Sequence, residues 1–361
     1  MSDDQQLKAI RDRINRLDER IQALISERAE AAQEVARIKL AANSQTEFYR
    51  PEREAQVLKL VKARNRGPLD DEEMARLFRE IMSACLALEQ PMKIAFLGPE
   101  GTFTQAAALK HFGHSVRTQS LGSIPEVFRD VESGVCAYGV VPVENSTEGV
   151  VTHTLDMFLS SPLHICGEVS LRINHHLMGL VETLDQVRTV YSHQQSLAQC
   201  RGWLDRRLPR ARRIGVGSNA EAARLAAGEP GAAAIAGEAA AEIYGLKILS
   251  RNIEDEPGNT TRFLVIGRQE PPPSGEDKTS LLLATRNVAG GLHRLLTPLA
   301  EHSVSMTRIE SRPSGRGKWE YVFFVDVEGH RDDDNVARAL DALREEAQMC
   351  KVLGSYPKAV L

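Results

Sequence analysis

A seven-residue repeat of apolar positions governs the start of the chain. Leu7, Ile14, Ile21 and Val35 share one place in the repeat, and Ile10, Leu17, Leu24, Ala31 and Ile38 share the other. Over about five heptads such a stripe predicts one long helix with a packing seam. At about 1.5 Å per residue the helix runs roughly 55 Å. A compact unit of about 90 residues has a radius of gyration of only about 12 Å. A seam this long cannot be covered within its own unit, so it predicts a homodimer in which the helix packs against a second copy.

One seam position is wrong for packing, because Arg28 stands between Ile21 and Val35. A guanidinium in a seam needs a partner. Spacing alone leaves two readings open, an internal salt bridge or a site waiting for an anion. Lys39 lies three turns on, about 16 Å along nearly the same face, so the two cations could grip one small dicarboxylate. Arg11 is about 25 Å from Arg28 along the axis and could join only from the other protomer. Pro51 is a favourable first-turn residue for a second helix carrying Arg53 and Glu54. Asp70 and Glu73 form a capping-box-like start for a third. The apolar face of that third helix runs through Cys85 to Glu89. By itself Glu89 reads first as a solvated last-turn acid.

The 361 residues call for two or three units. A net charge of -4 gives no reason to expect nucleic acid. No apolar run approaches the roughly 18 residues of a membrane span. The charged start MSDDQQLKAIRDR argues against secretion, and five scattered cysteines without a CxxC pair argue against a zinc site or disulfides. Together these point to the cytoplasm, with no metal and no cofactor.

Four stretches differ in texture. Residues 1–91 read as helical, 92–268 alternate strand and helix, and 269–278 (QEPPPSGEDK) read as a linker. Residues 279–361 follow a βαββαβ order that predicts a ferredoxin-like domain. In the second stretch, KIAFLG enters the turn Gly98–Gly101, with Thr102 as helix cap and backbone N–H groups that could face an anion. Polar Glu144, Asn145, Ser146 and Thr147 follow the run YGVVPV, where open α/β sheets place ligand contacts.

LKAIRDRINRLDERIQALISERAEAAQEVARIKL resembles the long helix of the all-helical chorismate mutases. The resemblance implies that Arg11 (from a partner), Arg28, Lys39 and Arg53 hold the carboxylates of chorismate, that Glu54 receives its hydroxyl, and that Cys85 and Glu89 complete the site. Two departures stand out. Arg50 replaces an acid of the family, and Glu89 stands where an amide is common. Glu89 must then be protonated to donate to the ether oxygen, which needs a raised pKa.

LGPEGTFTQAA, VPVENSTEG, YSHQQSLAQC, AAIAGEAAAEIYGL and NTTRF resemble prephenate dehydratase. That implies two α/β lobes like a periplasmic binding protein, with the Gly98–Gly101 turn, Asn145, Ser146 and Ser218 lining a cleft beside Thr261, Arg262 and Phe263. Thr261 would orient the departing hydroxyl, Arg262 would bind a carboxylate and Phe263 would pack beneath the ring. Glu144 and His193 are alternative acids, while His175 and His176 read as structural. NVAGGLHRLL and TRIESRP resemble the effector motifs of an ACT domain, implying phenylalanine near Gly290, Gly291, Leu292, Glu310, Ser311 and Arg312.

The whole chain thus resembles the bifunctional chorismate mutase/prephenate dehydratase family: chorismate to prephenate, then to phenylpyruvate, under phenylalanine control. A phenylalanine sensor without activity, or a dehydratase whose mutase has decayed, are the competing readings.

Overall fold

The structure is a computed structural model that describes residues 3–42, 48–285, 288–313 and 321–361. Three helices come first: α1 (Asp3–Ala42), α2 (Pro51–Arg64) and α3 (Asp71–Glu89). Asp3 and Asp4 open α1 and Lys39 stands in its last turn, each sign matching the helix dipole. Pro51 opens α2, and Asp70 caps α3 by accepting from the Glu73 N–H at 2.7 Å. The inner face of α1, which packs on α3, is Arg28, Ala29, Ala32, Ala36 and Lys39. The seam is left open, with Leu24 at 61% and Ile38 at 64% exposure. An open apolar stripe of this kind marks a candidate interaction face.

The next stretch folds as two lobes. The first runs β1 (Lys93–Leu97), α4 (Phe103–Phe112), β2 (Arg117–Leu121), α5 (Ile124–Glu132), β3 (Tyr138–Asn145), β4 (Gly149–Val150), α6 (Thr152–Phe158) and β5 (His164–Arg172). The second runs β6 (His176–Gly179), β7 (Thr189–His193), α7 (Gln194–Gln199), α8 (Arg201–Arg207), β8 (Arg212–Val216), α9 (Asn219–Gly228), β9 (Ala232–Ala236), α10 (Glu238–Tyr244) and β10 (Lys247–Ser250). The chain then returns to the first lobe as β11 (Thr260–Gly267), inserted between β3 and β5. The first sheet has the order β2-β1-β3-β11-β5, and the second β10-β6-β9-β7-β8. The lobes are therefore joined by two crossings, residues 173–175 and 251–259.

The last domain is β12 (Asp277–Ala284), α11 (Gly291–Glu301), β13 (Met306–Pro313), β14 (Tyr321–Glu328), α12 (Asp334–Glu346) and β15 (Met349–Pro357), the expected βαββαβ order. Its antiparallel sheet, β13-β14-β12-β15, is covered on one face by α11 and α12 through Leu281, Leu283, Leu295 and Leu340. The other face, with Leu282, Phe324, Leu353 and Tyr356, shares a core with Val141, Ile165 and Leu264 of the first lobe. Gly354 lets β15 approach β5 closely, since a Cβ there would lie 2.2 Å from the Ile165 carbonyl oxygen. The stretch 269–278, expected to be a linker, is packed: Ser274 and Asp277 are buried and hydrogen-bonded to each other, and Asp277 already belongs to β12.

Candidate active sites

In the helical segment, packing of α1 on α3 sets Arg28 and Lys39 near Glu89. Burial pushes the Glu89 carboxyl up, and the charges of Lys39 and Arg28 pull it part of the way back. The raised direction is the one that a hydrogen-bond-donating Glu89 requires. Cys85, one turn earlier, is buried, and the Lys39 ammonium lies 5.7 Å from the centre of the Phe48 ring. Arg53 is exposed on the first turn of α2. Arg11 is exposed far down α1, away from this group.

Glu54 departs from expectation. Its carboxylate meets the Arg79 guanidinium at 3.1 Å, in a junction lined by Tyr49, Lys110, His111 and the C-terminal residues 357–361. Burial there pushes its pKa up and Arg79 pulls it part of the way down. It faces the dehydratase segment, not Arg28. The reason is that one face of α2 is covered by the rest of the chain, which a helix read alone cannot reveal.

In the two-lobed segment, the β3–β11 register sets Thr261 opposite Asn145. Asn145 Nδ2 donates to Thr261 Oγ1 at 2.7 Å and to Asn259 Oδ1 at 2.8 Å, and Ser146 Oγ donates to the same Asn259 oxygen at 3.3 Å. Asn259 Nδ2 then donates to Gln199 Oε1 at 3.0 Å, which also accepts from His175 Nε2 at 2.9 Å. Gln195 and Gln199 each donate to the Glu148 carboxylate at 3.1 Å. A hydrogen-bonded chain thus runs from β11 and β3 in one lobe to α7 in the other, with Thr261 only 8% exposed. Because Asn145 donates to Thr261, the Thr261 hydroxyl keeps its own proton to give. Asn259, Gln199, Gln195 and Glu148 were not singled out from sequence, although each lies inside or beside a motif that was.

Other candidates sit elsewhere. Arg262 Nε meets Glu168 at 2.9 Å and its Nη1 meets Asp326 of the last domain at 2.6 Å, so it is not open to a substrate carboxylate. Burial alone would depress its pKa, but Tyr356, Asp326 and Glu168 more than offset that, and the net shift is upward. Phe263 is buried among Ala107, Phe112 and Val169 and supports β11 from within the core. Ser218 caps α9 by accepting from the Glu221 N–H at 3.0 Å, and His193 caps α7 in the same manner. Glu144 pairs with Arg308 at 2.7 Å. In the Gly98–Gly101 turn, Gly101 N–H donates to Gln105 Oε1 at 2.7 Å, so that donor is already satisfied. His175 and His176 are buried, and burial lowers both pKa values.

In the last domain Gly290 caps α11 with φ of +75°, a left-handed conformation that favours glycine. Gly291 is buried at the helix start, Leu292 is exposed beside it, and Asn287 of the same motif lies outside the described residues. Glu310 and Ser311 lie on β13, an edge strand among the described residues. Arg312 pairs with Asp156 of α6 at 2.9 Å, which ties it to the first lobe rather than to an effector. Trp319 and Glu320, expected to begin β14, lie outside the described residues. Among the described residues no cluster of His, Cys, Asp and Glu could hold a metal ion, and no helix is long and apolar enough to cross a membrane.

Three domain families match in series: chorismate mutase type II over residues 10–90, prephenate dehydratase over 94–271 and the ACT domain over 279–345. This is the build of an enzyme with two catalytic segments and a regulatory one. The bifunctional chorismate mutase/prephenate dehydratase of Stutzerimonas stutzeri is 59% identical over 365 residues, covering 100% of both chains. This chain belongs to the bifunctional chorismate mutase/prephenate dehydratase family. Among solved structures, the prephenate dehydratase from Arthrobacter aurescens in complex with L-Phe is 33% identical, with a TM-score of 0.67, over 73% of this chain and 90% of that one. GqqA, described as a novel type of quorum-quenching acylase, is 32% identical with a TM-score of 0.69 over 74% of this chain and 98% of that one.

Proposed function

We propose that the chain carries out two consecutive reactions, as a homodimer in the cytoplasm, under feedback by phenylalanine. Chorismate is rearranged to prephenate by the helical segment. This pericyclic step needs no nucleophile; it needs the compact conformer held and the charge growing on the ether oxygen stabilised. Arg28 and Lys39 hold carboxylates, protonated Glu89 donates to the ether oxygen, and Arg11 of a second copy completes the set.

Prephenate is then converted to phenylpyruvate in the two-lobed segment. The bond to the ring carboxylate breaks and releases carbon dioxide. Its electron pair closes the aromatic ring, and the ring hydroxyl departs with a proton as water. Thr261, held by Asn145, donates to that hydroxyl as it leaves. Phenylalanine binds the last domain near Gly290, Leu292, Glu310 and Ser311, beside the edge strand β13, where an edge invites a second copy.

The observation that carries this reading is the Thr261–Asn145–Asn259–Gln199 chain, which brings motifs from three separate stretches of sequence to one point between the lobes. A chorismate assay on the purified chain tests it, with products identified in the presence and absence of phenylalanine. Phenylpyruvate formed without added cofactor and suppressed by phenylalanine is the expected result. Accumulating prephenate would locate the fault at Thr261. Unchanged chorismate with phenylalanine still bound would leave a sensor.

A further inference from the structure

The residues next to the Thr261–Asn145 pair lead out of the lobe. The β3–β11 register that sets Thr261 opposite Asn145 sets Arg262 opposite Glu144. Successive side chains of a strand point to opposite faces. The first pair enters the chain of amides between the lobes, and the second is gripped by the last domain. Arg262 Nη1 lies 2.6 Å from Asp326 Oδ2, and Arg262 Nη2 donates to the Tyr356 hydroxyl at 3.0 Å. Arg308 Nε donates to Glu144 at 2.7 Å. Arg308 and Asp326 are themselves register partners across β13 and β14. Two cross-strand pairs, one in each sheet, therefore face each other with charges alternating around a four-residue ring. Asp326 is further held by Ser280 Oγ at 2.6 Å, so the ring is anchored in the sheet of the last domain.

We infer that Arg262 and Glu144 are positioning residues for Thr261 and Asn145, seated by Asp326 and Arg308, and that this ring couples β13 to the dehydratase site. Arg308 lies two residues before Glu310 on β13, so a ligand engaging Glu310 and Ser311 acts on the strand that holds Glu144. Arg262 and Asp326 are nearly buried, with side chains 16% and 7% exposed. Breaking a buried pair strands a charge, so the two sheets move together across the ring more readily than they slide past each other. The coupling rests on the reading of β13 as part of the effector site.

The test uses the full chain with Arg308→Met, Asp326→Asn and Arg308→Lys. Phenylalanine binding is measured by calorimetry with and without prephenate in chains that also carry Thr261→Ala, so that prephenate is not consumed, and phenylpyruvate formation is measured with and without phenylalanine in chains that keep Thr261. Mutase activity reports whether each variant is folded. With Thr261→Ala as the sole change, phenylalanine and prephenate should shift each other's affinity by the same factor, roughly 5- to 150-fold. Arg308→Met should bind phenylalanine within about twofold of wild type yet lose most of that factor, its basal kcat changing by only a few-fold, with Asp326→Asn intermediate and Arg308→Lys partly restored. Inhibition retained in both Arg308→Met and Asp326→Asn would overturn the coupling, as would loss of phenylalanine binding in Arg308→Met, which would make Arg308 a ligand contact. A wild-type chain that binds no phenylalanine would remove the effector reading itself, and the coupling with it.

Discussion

The helical segment and the two-lobed segment solve the same problem in opposite ways. Each must hold a dicarboxylate, but α1 offers Arg28 and Lys39 beside Glu89 and leaves Arg11 more than four turns away on an open seam. The two-lobed segment instead gathers Thr261, Asn145, Asn259 and Gln199 within one chain, because β11 returns to the first lobe after the second has been built. One long helix cannot fold back on itself, so under the proposed function its site needs Arg11 from a second copy. A chain that crosses twice between lobes can close a site alone.

The sharpest way to break this contrast is Thr261→Ala. Losing one aligned donor at a reacting oxygen costs about 10²- to 10³-fold in kcat, so phenylpyruvate formation should fall by that order while prephenate still forms from chorismate. A parallel loss of mutase activity would mean that the segments are not independent. The converse test concerns association. Arg11→Ala and Arg28→Ala chains should each lose mutase activity, and mixing and re-equilibrating them should restore about a quarter of it, because each mixed dimer has one intact site and one doubly damaged site. No recovery on mixing, with dimers exchanging, would place Arg11 outside the site. Dehydratase activity should stay at the wild-type level throughout.

A smaller effect concerns Glu89. Its raised pKa keeps the proton to higher pH than an ordinary carboxyl, and activity that needs the proton falls by about tenfold per pH unit above that pKa. Glu89→Gln should flatten the profile. A wild-type mutase rate independent of pH would remove Glu89 from the donor role.

The smallest concerns stability at the junction between the segments. His111 Nε2 shares a hydrogen bond there with the Tyr49 hydroxyl at 2.9 Å, and burial, with a further push from Arg79, lowers its pKa to about 3. The folded state therefore keeps it neutral where an unfolded chain would protonate it below about 6.5. Stability is lost as pH falls from about 6.5 to about 3, at up to ~1.4 kcal/mol per pH unit from this one group. His111→Gln should make acid unfolding less steep in that window. An identical slope would assign the acid sensitivity to other groups.

Much of this arrangement could be read from the chain. The heptad stripe predicted a long helix with an uncovered seam, and the strand and helix order of the last domain was as expected. The pairing of Asn145 with Thr261 could not be read, because residues 116 apart meet only through a register set by the whole sheet. The resemblance of NTTRF to the dehydratase motif implied a substrate role for Arg262 as well as for Thr261. The alternation of a strand already assigns neighbours to opposite faces, and that signal could have separated them. Glu54 carried no such signal, since the face of α2 that is buried depends on Arg79 and the C-terminal residues arriving from elsewhere.

By itself the sequence determined which segments are helical and the order of strands and helices in the last domain, because periodicity and local turn chemistry act over a few residues. Only the tertiary structure decided which charges meet. Arg262 joins Asp326, Glu144 joins Arg308 and Glu54 joins Arg79, because a buried charge takes the nearest complementary partner that packing brings to it, wherever in the chain that partner lies.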